Sequence, residues 1–144
     1  MTLTFKPVDA GNLMPIVKMH AGPGQPWVMP NAISIAQSKV DPNMLPFGIY
    51  ADDALVGFTM YALRRDRQEL YLYRLMLDEP HQHRGYGRAA LERLVEIARR
   101  EPGIRRIRLT TNPGNTHGIR VYKRFGFKAT GVMHEVEAEF VLDL

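Results

Sequence analysis

Gln82, Gly85 and Gly87 stand in the spacing Gln-x-x-Gly-x-Gly, with His83, Arg84, Tyr86 and Arg88 filling out the stretch. This stretch follows an apolar run ending at Leu77 and opens onto a helical pattern that begins near Ala89. Strand, short glycine loop and helix, in that order, make a cradle for an anion. Glycine lets backbone pass close to a ligand with no Cβ in the way. The unpaired N–H groups of the first helical turn then point at whatever negative charge sits there. Arg84 and Arg88 add side-chain charge to the same spot.

Other phosphate loops fit less well. A P-loop needs a Gly-Lys pair, and none occurs. A dinucleotide fingerprint belongs in the first βα unit, whereas this loop arrives past mid-chain. His81-x-His83 could supply half of a metal site, but zinc wants three or four ligands and no further one is placed to complete it. No metal is expected.

The elements around the loop follow from periodicity and punctuation. A strand over 3–8 leads to a short amphipathic helix over 12–20 and a Pro- and Gly-rich loop over 21–30 that holds the sole tryptophan, Trp27. Trp27 reads either as a plug onto the core or as a wall of a substrate site. Asn31 should cap a helix over 32–40 that buries Ile33, Ala36, Gln37 and Val40. Strands over 46–51 and 55–63 come next, then one over 69–77 that is apolar on both faces in its second half, as in a central strand. The helix after the loop carries Leu91, Leu94, Val95 and Ala98 at helical spacing. A strand over 105–111 should point Ile107 and Leu109 inward and its arginines outward, and a helix over 116–125 follows. The last segment, 133–144, alternates as one strand with Glu135, Glu137 and Glu139 on one face; a split near Gly131 is the alternative division of this region.

The 144 residues, 45% hydrophobic and 24% charged, are expected to form one domain, 1–144, with a proper core. The chain has no cysteine, which excludes disulfides, thiolate metal sites and a cysteine nucleophile and suits a reducing cytoplasm. No apolar stretch resembles a leader or a membrane span, so neither membrane nor export is expected. Residues 81–128 hold twelve Lys and Arg against three Glu, a net +9, which leaves −5 for the rest of a chain whose total is +4. Such asymmetry fits two ligands of opposite charge, one nucleic-acid face, or simply a solvated helix and edge. No RNP-type aromatic pair or recognition helix accompanies the arginines, so nucleic acid is not the expected partner.

The glycine loop resembles the pyrophosphate loop of the GCN5-related N-acetyltransferases (GNAT). A second stretch, Asn115-x-x-Gly118-x-x-Val121-Tyr122-Lys123-Arg124-Phe125-Gly126-Phe127, resembles that family's N-x-x-A-x-x-L-Y-x-x-x-G-F segment, with Gly118 for Ala and Val121 for Leu. With the element order, the resemblance spans residues 3–144. It implies an α/β fold: a mixed central sheet of six to seven strands, splayed between the fourth and fifth, with about four flanking helices.

The resemblance also implies acetyl-CoA as acetyl donor and direct attack by a primary amine within a ternary complex. Backbone groups of Leu75, Met76 and Leu77 would bond the pantetheine arm as an added strand. Gln82, His83, Arg84, Gly85, Tyr86, Gly87 and Arg88 would hold the pyrophosphate, Arg88 and Lys123 the charged end, and Asn115 the arm. A free N–H near Leu75 and Met76 would meet the oxyanion, and Tyr122 matches the family's proton donor. Without the motif, Tyr122 would read as a core tyrosine. Tyr73 and Arg74, nearest the place where some relatives carry a carboxylate, are not obvious bases, and the base stays open between Glu69 and a water chain. Residues 71–78, 27–31 and 140–144 are similar to bacterial spermine/spermidine acetyltransferases, which implies a polyamine acceptor. Trp27, Tyr73, Glu135 and Glu137 are then candidates to contact it. The glutamate stripe could equally be a solvent face protecting an edge strand. Relatives are often dimers, so a homodimer is expected.

Overall fold

The computed structural model describes residues 2–26 and 28–144. Trp27 therefore lies outside the described residues. The chain runs β1 (Leu3–Pro7), α1 (Leu13–Val17), α2 (Asn31–Val40), β2 (Leu45–Ala51), β3 (Ala54–Arg64), β4 (Glu69–Leu77), α3 (Tyr86–Arg100), β5 (Arg106–Thr111), α4 (Thr116–Phe125), β6 (Lys128–His134) and β7 (Glu137–Asp143). The strands form one seven-stranded sheet in the order β1-β2-β3-β4-β5-β7-β6. Only the central β4–β5 pair is parallel; its neighbours pair antiparallel.

That parallel ladder is short. Glu69 to Leu72 pair with Arg106 to Leu109, and there the pairing stops. From Tyr73 onward β4 keeps only its β3 neighbour, while Thr110 and Thr111 go on pairing with β7. The two central strands thus part in the middle of the sheet. A bulge that leaves Tyr73 without a β3 partner marks the point of divergence.

Helices α3 and α4 cover one face, where Leu91, Leu94 and Ala98 pack with Leu70, Leu72, Ile107, Leu109 and Phe140. Helices α1 and α2 cover the other face over Phe58, Met60 and Met76. The second half of β4 is buried from both sides, as its sequence predicts: Leu75 packs toward the α3 side and Met76 toward the α1 side.

Four expectations are corrected. In α2 the buried side is polar: Asn31 and Ser34 are buried, while Ile33 and Val40 are 48% and 88% exposed. The cause is Arg74 beneath the helix, whose guanidinium donates to Ser34 Oγ at 3.1 Å and to Gln37 Oε1 at 3.2 Å. Asn31 does not cap; Pro30 holds the cap position, and Asn31 Nδ2 donates to the Ile16 carbonyl at 2.9 Å. In the last segment, Glu135 and Val136 form the turn of a hairpin, with Glu135 at φ 56°, so the strand over 133–144 is two strands and Glu135 belongs to neither. The split falls there; Gly131 lies instead at a register irregularity within β6. Finally, Arg108 does not point freely outward. It bridges two buried carboxylates, Glu69 at 2.9 Å and Glu139 at 2.8 Å. An unpaired carboxylate costs several kcal/mol to bury, of order 3–5 if its partner is removed, and Arg108 is the cation the two share, with Arg64 3.7 Å from Glu69 and His134 2.9 Å from Glu139.

Candidate functional site

A cleft of about 380 Å³ opens on the α3/α4 side where β4 leaves β5. Leu75, Met76 and Leu77 form its strand wall; Gln82, His83, Gly85, Tyr86, Gly87 and Arg88 form its floor. The α4 side supplies His117, Gly118, Val121, Tyr122, Arg124 and Phe125.

The strand wall has unused hydrogen-bonding capacity. Asp78 N–H donates to the Val56 carbonyl on β3 at 2.9 Å. Backbone groups alternate in direction along a strand, so those of Met76 also face β3 and those of Leu75 and Leu77 face the gap. Gln82 Nε2 caps the Leu77 carbonyl at 3.0 Å and the Ala21 carbonyl at 2.9 Å. Gln82 is thus a brace tying the loop to β4 and to the chain after α1. The Leu75 N–H and C=O and the Leu77 N–H are left for an extended ligand, with Met76 contributing its side of the wall.

The floor is shaped by two left-handed residues, His83 at φ 63° and Gly85 at φ 82°. Gly85 is the N-cap of α3, its carbonyl accepting from Ala89 at 3.1 Å. Among the described residues nothing accepts from the N–H groups of Tyr86, Gly87 and Arg88, so they point into the cleft with the positive end of the helix dipole. Beyond the adjoining residues and the helix's own backbone, a Cβ placed on Gly85 or Gly87 would meet no protein atom within 4 Å. The space it would enter is the cleft itself, a cradle suited to a phosphate lying against backbone.

Tyr122 is placed by both ends of α4. At the start, Asn115 Oδ1 accepts from Gly118 N–H at 3.2 Å and Asn115 Nδ2 donates to Thr111 Oγ1 at 3.1 Å. A Cβ at 118 would collide with the Asn115 amide, which explains why glycine stands there. At the end, the Tyr122 carbonyl accepts from Gly126 and Phe127, and Gly126 adopts φ 126°. The Tyr122 ring packs 5.7 Å from that of Phe127, and no described residue bonds its hydroxyl. Burial pushes the phenol up to about 12, so it is a protonated donor at neutral pH.

Three candidates stand outside the cleft wall. Asn115 spends its amide on capping α4, and Arg84 and Lys123 are exposed side chains beyond the lining. Arg88 lines the cleft while pairing with Glu92 at 3.1 Å. His117, Arg124 and Gln25 are lining residues that pattern reasoning missed, because they sit at the variable positions of the second motif or in an irregular loop. The rings of His83 and His117 meet across the mouth at 5.9 Å.

On the opposite face, Tyr73 accepts from Arg64 Nη2 at 2.9 Å and packs edge-on to Tyr71 at 4.7 Å. The Arg64 guanidinium lies 4.0 Å from the centre of the Tyr71 ring. Glu137 is exposed and accepts from Thr110 Oγ1 at 3.0 Å. Glu139 is buried; although burial opposes its ionisation, hydrogen bonds from Thr130, His134 and Arg108 hold its carboxyl below the usual range. The glutamate stripe is therefore three different things: a turn residue, an exposed carboxylate and an internal ion pair. Glu69 is fully buried six residues before Leu75, about 20 Å along the strand at roughly 3.3 Å per residue, which removes it as a base at the gap.

Residues 16–127 match the model of the acetyltransferase (GNAT) family. A spermine/spermidine N(1)-acetyltransferase of Bacillus subtilis is 30% identical over 138 residues, 91% of each chain. The structure aligns with a PaiA N-acetyltransferase from Thermoplasma acidophilum in complex with coenzyme A at a TM-score of 0.75 and 18% identity, covering 100% of both chains. It aligns equally, at 0.75 and 14% identity, with a spermidine N-acetyltransferase from Vibrio cholerae in complex with CoA and spermine, covering 99% of this chain and 95% of that one.

Proposed function

The chain belongs to the acetyltransferase (GNAT) family and is an acetyl-CoA-dependent N-acetyltransferase, and from that premise we propose a polyamine or similar small primary amine as its acceptor. The observation that carries the site assignment is the interrupted β4–β5 ladder, open beside an amide-lined loop and a free tyrosine hydroxyl. In this reading the pantetheine arm continues the sheet along Leu75 and Leu77, and the pyrophosphate sits on the N–H groups of residues 83–88. The Leu75 N–H meets the oxyanion of the tetrahedral intermediate, and Tyr122 protonates the leaving thiolate. Arg88, Arg84 and Lys123 serve the outer phosphate by charge at the mouth. We read residues 1–144 as one domain of the cytoplasm.

Support for a cationic acceptor comes from Tyr71 and Tyr73, whose paired rings already carry one cation, Arg64, and from Glu137 beside them. Trp27, which precedes α2 in the sequence, is kept as a further contact. Glu135, held in the hairpin turn, is kept as an outer one. A second reading rests on Arg64 and Arg74, two cations on this face that would favour an amine bearing a carboxylate. CoA release from acetyl-CoA across a panel separates the two. Spermidine and diamines turning over above amino acids and peptides supports the polyamine; the reverse order assigns the arginines to the acceptor and ends it. The exposed edge strand β6, with Val132 and Met133 about half exposed, is the surface we assign to a homodimer; light scattering at the mass of a single 16.4 kDa chain would refute that.

A further inference from the structure

We propose that Glu137 is the group that takes the proton the acceptor ammonium must lose before its nitrogen can attack. The inference rests on the acetyl-transfer reading of the site and supplies the base that sequence patterns leave open. Three strands contribute. Tyr71 on β4, Thr110 on β5 and Glu137 on β7 form a chain of hydrogen bonds, 3.2 Å from the tyrosine hydroxyl to Thr110 Oγ1 and 3.0 Å from there to Glu137 Oε1. An ionised carboxylate only accepts, so the threonine hydroxyl donates to it and the tyrosine hydroxyl donates to the threonine. That direction leaves a lone pair on the Tyr71 oxygen and the second carboxylate oxygen of Glu137 as acceptors, a pair suited to an ammonium.

The register places this chain at the point of divergence. Leu72 and Leu109 are the last β4–β5 partners, so Thr110 stands abreast of Tyr73 as the first residue past the ladder. Strand β7 runs back along β5 with Thr110 opposite Glu139 and Thr111 opposite Ala138. Glu137, the residue before Ala138, therefore lies just beyond the end of β5, past the last β4–β5 partners and beside the gap.

The surrounding charges leave Glu137 unoccupied. Arg74 on β4 feels its charge but spends its own donors on Ser34, Gln37, Met29 and the Tyr73 carbonyl. Arg64 lies against Tyr71 and Tyr73, and Arg108 on β5 is held by Glu69 and Glu139. His134, the partner of Glu137 across the hairpin, turns to Glu139 at 2.9 Å. Among the described residues no cation lies within ion-pair distance of Glu137.

The proton count closes. The ammonium gives one proton to Glu137, which returns it to water. The freed lone pair forms the N–C bond, and the C–S bond breaks as Tyr122 gives its proton to sulfur. The nitrogen loses a second proton as the intermediate collapses, restoring Tyr122, and keeps the third in the amide.

The test compares Glu137→Gln, which has the same shape and cannot accept the proton, with the wild-type protein. With spermidine near pH 7, kcat/KM for the amine should fall about 100-fold, the low end of general-base contributions, with acetyl-CoA affinity within twofold. The residual rate of the variant should climb about tenfold per pH unit toward the amine's own pKa, where the wild type is level; Glu137→Asp should restore part of that level region. A variant profile parallel to the wild type, at any height, would overturn the inference, because a merely structural role leaves the shape unchanged. If only another amine of the panel is turned over, the same comparison made with that amine decides the matter, and the polyamine reading alone falls. Absence of turnover on every amine would overturn both.

Discussion

Gly85→Val should leave a folded protein that no longer binds acetyl-CoA. Gly85 holds φ 82° at the N-cap of α3, a conformation that costs a β-branched residue on the order of 1–3 kcal/mol. The variant escapes that strain by rotating the cap, which turns the N–H groups of Tyr86 and Gly87 away from the cleft. Beyond the adjoining residues no protein atom lies within 4 Å of the added Cβ, so there is no clash in the core and the rest of the sheet keeps its packing. Hydrogen bonds to a charged group are worth about 1.5–3 kcal/mol each. Losing two therefore weakens binding by roughly 100-fold to 10,000-fold. Calorimetry should detect no acetyl-CoA binding at concentrations that saturate the wild type, while circular dichroism stays native. Gly85→Ala should fall between. Undiminished affinity in the valine variant would place the phosphates elsewhere.

Tyr122→Phe should instead retain binding and lose turnover, with kcat down about 100-fold and KM for acetyl-CoA within a few-fold. No described residue bonds the hydroxyl, so its removal leaves no buried partner unsatisfied, and thermal stability should change little. The pH dependence carries the sign. Burial pushes the phenol up to about 12, so the donor form is fully present across the assay range and is lost only as pH rises through that value. The wild type should show no alkaline fall attributable to Tyr122 below about pH 11, and the variant should keep the profile's shape at a lower level. If Tyr122 acted as a phenolate base, activity would rise steadily toward pH 12 and that rise would vanish in the variant. Unchanged kcat in Tyr122→Phe would remove the residue from the chemistry.

What could be read from the sequence was what local rules determine. Two glycines between an apolar strand and a helical period announce an anion cradle, and the structure has Gly85 in the left-handed region that only such a residue enters cheaply. The 69–77 strand and the α3 stripe follow from periodicity, and both are found where expected. The hairpin at Glu135 was hidden because a two-residue turn lets the alternation of side chains run on through it, without the Asn-Gly or Asp-Gly that would reveal it. The polar underside of α2 was hidden because its cause, Arg74, comes from a strand forty residues away from Ser34. Glu69, Arg108 and Glu139 look like surface charges one strand at a time; only the sheet order brings them together. The Tyr71–Thr110–Glu137 chain is of the same kind.

In the proposed complex the acetyl donor lies in the gap between β4 and β5, with its phosphates on the loop. Backbone amide shifts during a titration with CoA test it most directly. The largest perturbations should fall at Leu75, Leu77, Gly85, Tyr86, Gly87 and Arg88, with β1 and β6 unmoved. Saturable binding that leaves those amides in place while shifting others would contradict it.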